Sequence, residues 1–199
     1  MLLDYDQYQA FIFDMDGTLL DTMPAHLDAW ELTAREFSFP FSREWVHSMG
    51  GMPSSKIVEQ INSKFALNID AYDASQFKME AFKTMSNEIN PIAATLNVLN
   101  TYHQTKRIAI GTGSQRESAE RLLSDCGLAD KVEVLVSAND VENHKPSPDT
   151  FLKAANLLQV EPQKCLVFED TELGKQAAHA AGMDCVMVVG EELVFHPCS

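Results

Sequence analysis

The sequence predicts an α/β protein that has a parallel sheet and a smaller helical insert. From about residue 90 onward, continuous apolar runs alternate with helical patterns, which is typical of parallel strands buried on both faces. An earlier run of the same kind ends near residue 14. Between these regions, apolar residues recur at spacings of three and four, and no convincing strand interrupts them. We therefore expect a sheet domain of residues 1–20 and 90–199, with helices in residues 21–89.

Short apolar runs predict the strands, and amphipathic segments predict the helices between them. The strands are residues 8–14 (YQAFIFD), 107–112 (RIAIGT), 132–137 (VEVLVS), 165–170 (CLVFED) and 184–189 (DCVMVV). In the sheet domain we expect helices at residues 115–126, 147–159 and 174–182, and in the insert at residues 27–37, 54–65 and 74–85. Pro148 suits a first helical turn, where its missing N–H costs nothing, and Gly182 suits a helix end.

The composition excludes some classes of partner. The formal net charge is -14 over 199 residues, so the attraction to phosphate that drives binding to nucleic acid or anionic membranes is missing. No apolar run approaches the roughly 20 residues of a membrane span, and no basic region precedes the first apolar residues. The four cysteines are widely spaced, which favours reduced thiols in a cytoplasmic protein over disulfides or a metal site. A monomer is the default expectation.

Polar side chains follow four of the predicted strands. They are Asp14 and Asp16 after the first strand, Thr112, Gly113 and Ser114 after the second, His144 and Lys145 after the third, and Glu169 and Asp170 at the end of the fourth. Ligands of open parallel sheets bind beyond the carboxyl ends of the strands. We therefore expect these groups to converge at one edge of the sheet.

This set of residues suits phosphoryl transfer with Mg²⁺. Carboxylate oxygens are the ligands that Mg²⁺ prefers, and Asp14 and Asp170 are the natural pair. Lys145 and the hydroxyl of Thr112 could bind phosphate oxygens. With the charge neutralised, a carboxylate can attack phosphorus and form an aspartyl-phosphate. A second acid can protonate the leaving oxygen and then activate water.

Each feature alone has a simpler explanation. Asp16 followed by glycine could be only a turn, Thr112 and Ser114 could cap a helix, and Lys145 could be solvated. The acidic pair at the end of the fourth strand could open the next helix. Their joint placement at consecutive strand ends favours a shared site.

In its motifs, the sequence resembles the haloacid dehalogenase superfamily over essentially its whole length. FDMDGTLLDT, IGTGS, HKPSPDTF and FEDTELG are similar to the four motifs of that family, in the right order. The resemblance implies a Rossmann-like α/β core and a small helical cap inserted after the first motif, at residues 21–89. It agrees with the helical insert expected from the residue pattern.

The resemblance also implies roles for individual residues. Asp14 would be the nucleophile and Asp16 the general acid/base. The metal ligands would be Asp14, the backbone carbonyl of Asp16 and Asp170, and Glu169 would either bind the metal or orient its shell. The phosphoryl group would be bound by Thr112, Gly113 and Lys145. An Asp at both positions of the first motif is similar to phosphate-transferring members and disfavours dehalogenation.

Within the superfamily, the sequence is similar to the β-phosphoglucomutase and sugar-phosphatase group, and most of all to bacterial fructose-1-phosphate phosphatases. His26 stands where that group keeps a hinge histidine, which could also be a packing residue without a chemical role. Mutases of the group have a cap arginine for a second phosphate, but Ser54 stands near that position and Lys56 is two residues away. Gly51, Ser54, Lys56 and Ser114 are therefore candidates for contact with the leaving group.

These features together predict a Mg²⁺-dependent phosphatase that acts on a small, fructose 1-phosphate-like sugar phosphate. The alternative is a β-phosphoglucomutase, in which Lys56 would replace the missing arginine. A non-catalytic relative is a third possibility, but such relatives usually lose a catalytic carboxylate, and here all are present.

Overall fold

A six-stranded sheet lies at the centre of the computed structural model, which describes residues 4–86 and 89–198. Its strands are β1 (Ala10–Phe13), β2 (Arg107–Gly111), β3 (Val134–Val136), β4 (Cys165–Glu169), β5 (Asp184–Val189) and β6 (Glu192–His196). Their order is β3-β2-β1-β4-β5-β6, and β1 to β5 are parallel. The strand that ends at the candidate aspartates, β1, is therefore central, between β2 and β4.

The sixth strand corrects the expectation of a wholly parallel sheet. β6 pairs antiparallel with β5 across a tight turn, in which Gly190 has a φ of 61°. Its residues are exposed or only partly buried, because it lies at the edge of the sheet. It therefore lacks the continuous apolar run that predicts the other strands. Helix α5, which precedes β2, is also absent from the sequence prediction.

Helices cover both faces of the sheet. In chain order the helices are α1 (Met23–Glu36), α2 (Arg43–His47), α3 (Ser54–Phe65), α4 (Ala71–Met85), α5 (Ala93–Tyr102), α6 (Arg116–Asp125), α7 (Asp149–Leu158) and α8 (Glu172–Ala180). Phe11 and Phe13 point to the face covered by α5 and α6, whereas Ile12 packs with α7 and α8 on the other. This alternation along a strand buried on both faces explains its unbroken apolar sequence.

The insert, α1 to α4, has a hydrophobic cluster of its own. Trp30, Val46, Ile57 and Ile61 are buried in it. The two connections to the sheet lie side by side, since the N–H of Asp21 donates to the carbonyl of Asn90 at 2.9 Å. The chain therefore leaves the sheet and returns to it at one place, beside the end of β1.

In the part of the chain that the structure describes, no helix is long and apolar enough to cross a membrane. All four cysteines are free thiols, as the sequence predicts.

Candidate active site

A tight turn at the end of β1 presents the two aspartates of the first motif. The N–H of Asp14 donates to the carbonyl of Phe168 at 2.9 Å and so continues the strand pairing. Gly17 then adopts a φ of 84°, and a Cβ on it would lie 2.4 Å from Oδ2 of Asp170. Only glycine fits this turn, because both its conformation and its contact with Asp170 exclude a side chain. The turn thereby keeps the side chains of Asp14 and Asp170 close together.

Lys145 lies between two buried carboxylates. Its Nζ donates to Asp14 Oδ1 at 2.6 Å and to Glu169 Oε1 at 2.7 Å, and its exposed fraction is only 2%. Burial alone lowers the pKa of Lys145, but the two carboxylates outweigh it and raise this pKa above its ordinary value. The other oxygen of Glu169 accepts from the N–H and hydroxyl of Thr171. Lys145 is therefore a buried cation and not a solvated surface residue.

One lysine does not balance the negative charge at this point. Burial raises the pKa of Asp14 well above its ordinary value, and Glu169, Asp170 and Asp16 add to the shift while Lys145 opposes it. Burial, followed by the charge of Glu169, raises the pKa of Asp170 to about 7. The single charge of Lys145 therefore does not compensate the negative charge of Asp14 and Asp170.

A divalent cation fits this donor set. Asp14, Glu169 and Asp170 each offer a carboxylate oxygen, and these atoms lie within 4.8 Å of one another. Hard oxygen donors at this spacing suit Mg²⁺ or a similar ion. Such an ion would supply the missing positive charge and keep the carboxylates ionised. Asp14 and Asp170 are the candidate direct ligands, whereas both oxygens of Glu169 already accept hydrogen bonds from Lys145 and Thr171.

The second aspartate has a different environment. Oδ1 of Asp16 accepts from the Thr22 hydroxyl at 2.7 Å and contacts Nε2 of His26 at 3.1 Å. Oδ2 accepts from the hydroxyls of Ser114 at 2.7 Å and Thr112 at 3.2 Å. Burial raises the pKa of Asp16, but His26 and the hydroxyls of Ser114 and Thr22 outweigh it, and the result is a pKa below the ordinary range. The pKa values of Asp14 and Asp16 are thus shifted in opposite directions.

The structure places the predicted phosphate-binding hydroxyl of Thr112 against Asp16. This hydroxyl donates to Asp16 and accepts from the N–H of Ser114 at 3.0 Å. It therefore has to exchange a partner before it can donate to a phosphate oxygen. Thr112 and Ser114 are not side-chain caps of α6, because the residue at its N-cap is Gln115.

Lys78 is a site residue that the sequence analysis does not identify. It lies on α4 of the insert with 4% of its surface exposed, and its Nζ is 2.6 Å from Nδ1 of His26. Burial lowers the pKa of Lys78 to about 8, with a smaller opposing effect from Asp16. The His26 ring stacks on Phe82, with 3.9 Å between the ring centroids. These contacts make His26 a link between Asp16 and the insert.

The contacts also assign a tautomer to His26. Lys78 donates to Nδ1, so Nε2 carries the hydrogen and donates to Asp16. Burial, followed by the charge of Lys78, lowers the pKa of His26, which agrees with a neutral ring. A sequence signal for Lys78 exists, because positions 74, 78 and 82 form the buried face of α4 and only one of them is charged.

A cavity lies between the sheet and the insert, above Asp14 and Asp16. The insert contributes Gly51, Ser54 and Lys78, together with an apolar wall that includes Trp30, Met52 and Ile57. Gly51 and Ser54 therefore face the aspartates across the cleft. Lys56 does not line the cavity; it is exposed and pairs with Glu59 at 3.0 Å.

Comparison with known proteins identifies the family. Residues 11–188 match the haloacid dehalogenase-like hydrolases. The chain belongs to this family. It is 37% identical over 185 residues to the fructose-1-phosphate phosphatase of Escherichia coli, a match that covers 92% of this chain and 98% of that protein. It is 28% identical to the β-phosphoglucomutase of Bacillus subtilis, with coverage of 90% and 83%. These matches confirm the resemblance seen in the motifs.

A solved structure of the family supports the same conclusion. The β-phosphoglucomutase of Clostridium difficile superposes with a TM-score of 0.81 at 25% identity, and covers 92% of this chain and 85% of its own. The predicted α/β fold class is therefore confirmed. The protein is an enzyme of the haloacid dehalogenase-like hydrolase family, and its relatives include both phosphatases and mutases.

Proposed function

We propose that the protein is a Mg²⁺-dependent phosphatase that hydrolyses a small sugar phosphate, such as fructose 1-phosphate, through an aspartyl-phosphate on Asp14. The similarity to the fructose-1-phosphate phosphatase of Escherichia coli supports the substrate class. The buried carboxylate cluster around Lys145 supports the metal and the covalent step.

In the first step Asp14 attacks phosphorus. Lys145 holds Oδ1 of Asp14, which leaves Oδ2 to form the new O–P bond while the bond from phosphorus to the sugar oxygen breaks. When Mg²⁺ is bound, its charge offsets that of the phosphoryl oxygens and carboxylates. Asp16 gives a proton to the sugar oxygen, and because its low pKa favours the carboxylate, it has to take up this proton from solvent before the step.

In the second step water releases the phosphate. The carboxylate of Asp16 takes a proton from the water that attacks phosphorus, and the bond from phosphorus to Asp14 breaks. The low pKa of Asp16 favours this base form, which hydrogen bonds from His26 and from the hydroxyls of Thr22 and Ser114 stabilise. Asp14 and Asp16 thus have separate roles because their surroundings differ.

The observation that favours hydrolysis over mutase activity is the charge of the cavity. Among the described residues that line it, His26 and Lys78 are the only basic side chains, and both are committed to the Asp16 network. A mutase has to hold a second phosphate while the intermediate turns around. Because Ser54 stands where the mutase arginine is expected and Lys56 points elsewhere, water is the favoured acceptor.

Phosphate release from a panel of hexose, pentose and deoxyhexose phosphates tests this proposal. With Mg²⁺ present, we expect release from at least one sugar phosphate and its loss in Asp14→Asn. Asp21→Asn is the matched control, because Asp21 belongs to the same segment but is exposed. A wild-type protein that releases no phosphate, or an Asp14→Asn variant as active as the wild type, would refute the proposal.

The relatives also favour a second candidate, β-phosphoglucomutase. Incubation with β-glucose 1-phosphate and a bisphosphate activator separates the two functions. Glucose 6-phosphate without free phosphate indicates the mutase, whereas free phosphate indicates the phosphatase.

A further inference from the structure

A loop of the insert makes direct backbone contact with the loop that follows β2. This insert loop, residues 49–53, joins α2 to α3. A Cβ built on Gly113 would lie 2.2 Å from the carbonyl oxygen of Gly51 and 2.7 Å from its carbonyl carbon. Real Cβ atoms essentially never approach another atom closer than 3.0 Å. The two backbones can therefore touch only because residue 113 has no side chain.

The same insert loop also contacts the other strand-end loops of the sheet. A Cβ on Gly51 would lie 3.2 Å from Cδ of Lys145 and 3.7 Å from the hydroxyl oxygen of Thr171. The loop thus rests on segments that follow β2, β3 and β4, beside the lysine that holds Asp14. In this position it covers the proposed nucleophile.

We propose that Gly113 is a positioning residue whose missing side chain lets the insert loop close over Asp14. This inference rests on the proposed phosphatase function and deepens it. A methyl group at position 113 would push the Gly51 carbonyl away by at least about 0.8 Å. A displacement of about 1 Å at a reacting centre is enough to cost roughly 100-fold in rate. The contact of the insert loop with Gly113 therefore determines how well a leaving group is positioned between the sheet and the insert.

The sheet domain itself tolerates a side chain at position 113. Gly113 does not have a positive φ, whereas Gly51 has a φ of 85°. On one side of Gly113, the N–H of Thr112 donates to Val136, and on the other, the N–H of Ser114 donates to the Thr112 hydroxyl. The clash of an alanine would be with the insert loop alone, so the substitution should separate closure from the chemistry of Asp14.

Gly113→Ala and a matched control, Gly111→Ala, test this inference. A Cβ on Gly111 would meet the Phe151 ring at 3.1 Å and Thr150 at 3.2 Å, both inside the sheet domain. Gly111→Ala therefore disturbs the same strand without touching the insert. Two substrates are compared: the best sugar phosphate and 4-nitrophenyl phosphate, whose leaving group departs without protonation. Amide hydrogen exchange of residues 49–54 is measured in parallel.

For Gly113→Ala we expect kcat/KM for the sugar phosphate to fall by about 10- to 100-fold. Hydrolysis of 4-nitrophenyl phosphate should fall by a smaller factor, because its leaving group needs no proton, so the ratio of the two activities should change. Exchange should become faster in residues 49–54 and stay unchanged in the strands. Gly111→Ala should lower the melting temperature but leave both the ratio of the two activities and this exchange unchanged.

Several results would overturn the inference. One is an equal fall in both activities of Gly113→Ala, since that would mean damage to the phosphate site. Unchanged exchange in residues 49–54 is another. Failure of Gly113→Ala to fold also contradicts it, because the sheet domain is required to accept the side chain. If the wild type hydrolyses no phosphate ester, the proposed function fails, and the exchange measurement still decides whether Gly113 controls closure.

Discussion

Replacement of Lys78 by methionine should make the protein less active without making it less stable. Methionine is close to lysine in length, and Nζ of Lys78 lies 5.8 Å from the ring centroid of Trp30 and 4.9 Å from that of Phe82, where a thioether can also contact the rings. It removes the charge and the donor to Nδ1 of His26, which lies 2.6 Å from Nζ. Loss of the buried charge should stabilise the folded protein, whereas loss of the hydrogen bond to His26 should destabilise it.

The stability effect follows from the pKa. A lysine whose pKa falls from 10.5 to about 8 on folding destabilises the folded protein when charged. Since one pKa unit corresponds to about 1.36 kcal/mol, the penalty is about 3 kcal/mol. The lost hydrogen bond from the charged Lys78 to His26 offsets about 1.5–3 kcal/mol of it. At pH 7.5 we therefore expect Lys78→Met to raise the free energy of unfolding by about 0–1.5 kcal/mol.

The lowered pKa of Lys78 also determines the direction in which the free energy of unfolding changes with pH. Between pH 8 and 10.5 the unfolded chain binds more protons at Lys78 than the folded protein does. Wild-type stability should therefore rise with pH across this window, relative to the variant. The destabilisation by the buried charge of Lys78 is complete below pH 8 and absent above pH 10.5. Any gain in the free energy of unfolding of Lys78→Met over the wild type should therefore disappear as the pH approaches 10.5. Urea denaturation at several pH values measures this difference.

The activity effect follows from the tautomer of His26. Without Lys78, no donor fixes the hydrogen on Nε2, and Asp16 loses a defined partner. General acid–base catalysis contributes about 100- to 10,000-fold, and we expect Lys78→Met to lose roughly 100-fold on a sugar phosphate. Hydrolysis of 4-nitrophenyl phosphate should be much less affected, because its leaving oxygen needs no proton.

Lys83→Met is the matched control on the same helix. Lys83 is exposed, and its Nζ is 4.0 Å from Oε1 of Glu117. This variant should match the wild type in stability and activity. Our reasoning would be refuted if Lys78→Met lost stability and activity together, since Lys78 would then be a structural residue. Full activity of Lys78→Met would equally refute it.

Three further outcomes are expected. Lys145→Met should lower the free energy of unfolding by about 3–5 kcal/mol, measured by urea denaturation, because it leaves Asp14 and Glu169 buried without their cation. Treatment with EDTA should stop phosphate release, and added Mg²⁺ should restore it and raise the melting temperature; equal activity in EDTA would contradict a metal site. Ser54→Arg should tighten inhibition by a hexose bisphosphate about tenfold or more, because charge-assisted hydrogen bonds contribute roughly 1.5–3 kcal/mol; unchanged inhibition would place residue 54 away from the leaving group.

The sheet and its strand-end residues could be predicted because their signals are local. Each buried strand is a continuous apolar run, and parallel strands bring their ends together without any knowledge of packing. The sequence does not predict β6, because its residues are exposed or half-buried and show no continuous apolar run. Among the strands, β6 pairs with β5. Helix α5 has a weak apolar stripe that contains asparagine and threonine, so its pattern does not stand out.

The role of Lys78 could not be predicted with the same ease, because it depends on how α4 packs against α1. Its position on the buried face of α4 is visible in the sequence, but its partner, His26, is 52 residues away. The contact between Gly51 and Gly113 is similarly hidden, since glycine at either position has many local explanations. Contacts between the insert and the sheet are tertiary, and no periodicity in the chain encodes them.

These contacts give the insert control over the acid/base group. Lys145 donates to Asp14 and is itself held by Glu169, and both belong to the sheet domain, so this hydrogen bond to Asp14 is made without a residue of the insert. Asp16 takes two donors from the loop after β2, one from Thr22 and a fourth from His26, which Lys78 orients from α4. Movement of α4 away from β1 would separate Lys78 from Nδ1 of His26, so that Nε2 would no longer be fixed as a donor to Asp16. The hydrogen bond that orients the proposed nucleophile is therefore made within the sheet domain, whereas the donors to the proposed proton-transfer group are complete only when the insert is in place.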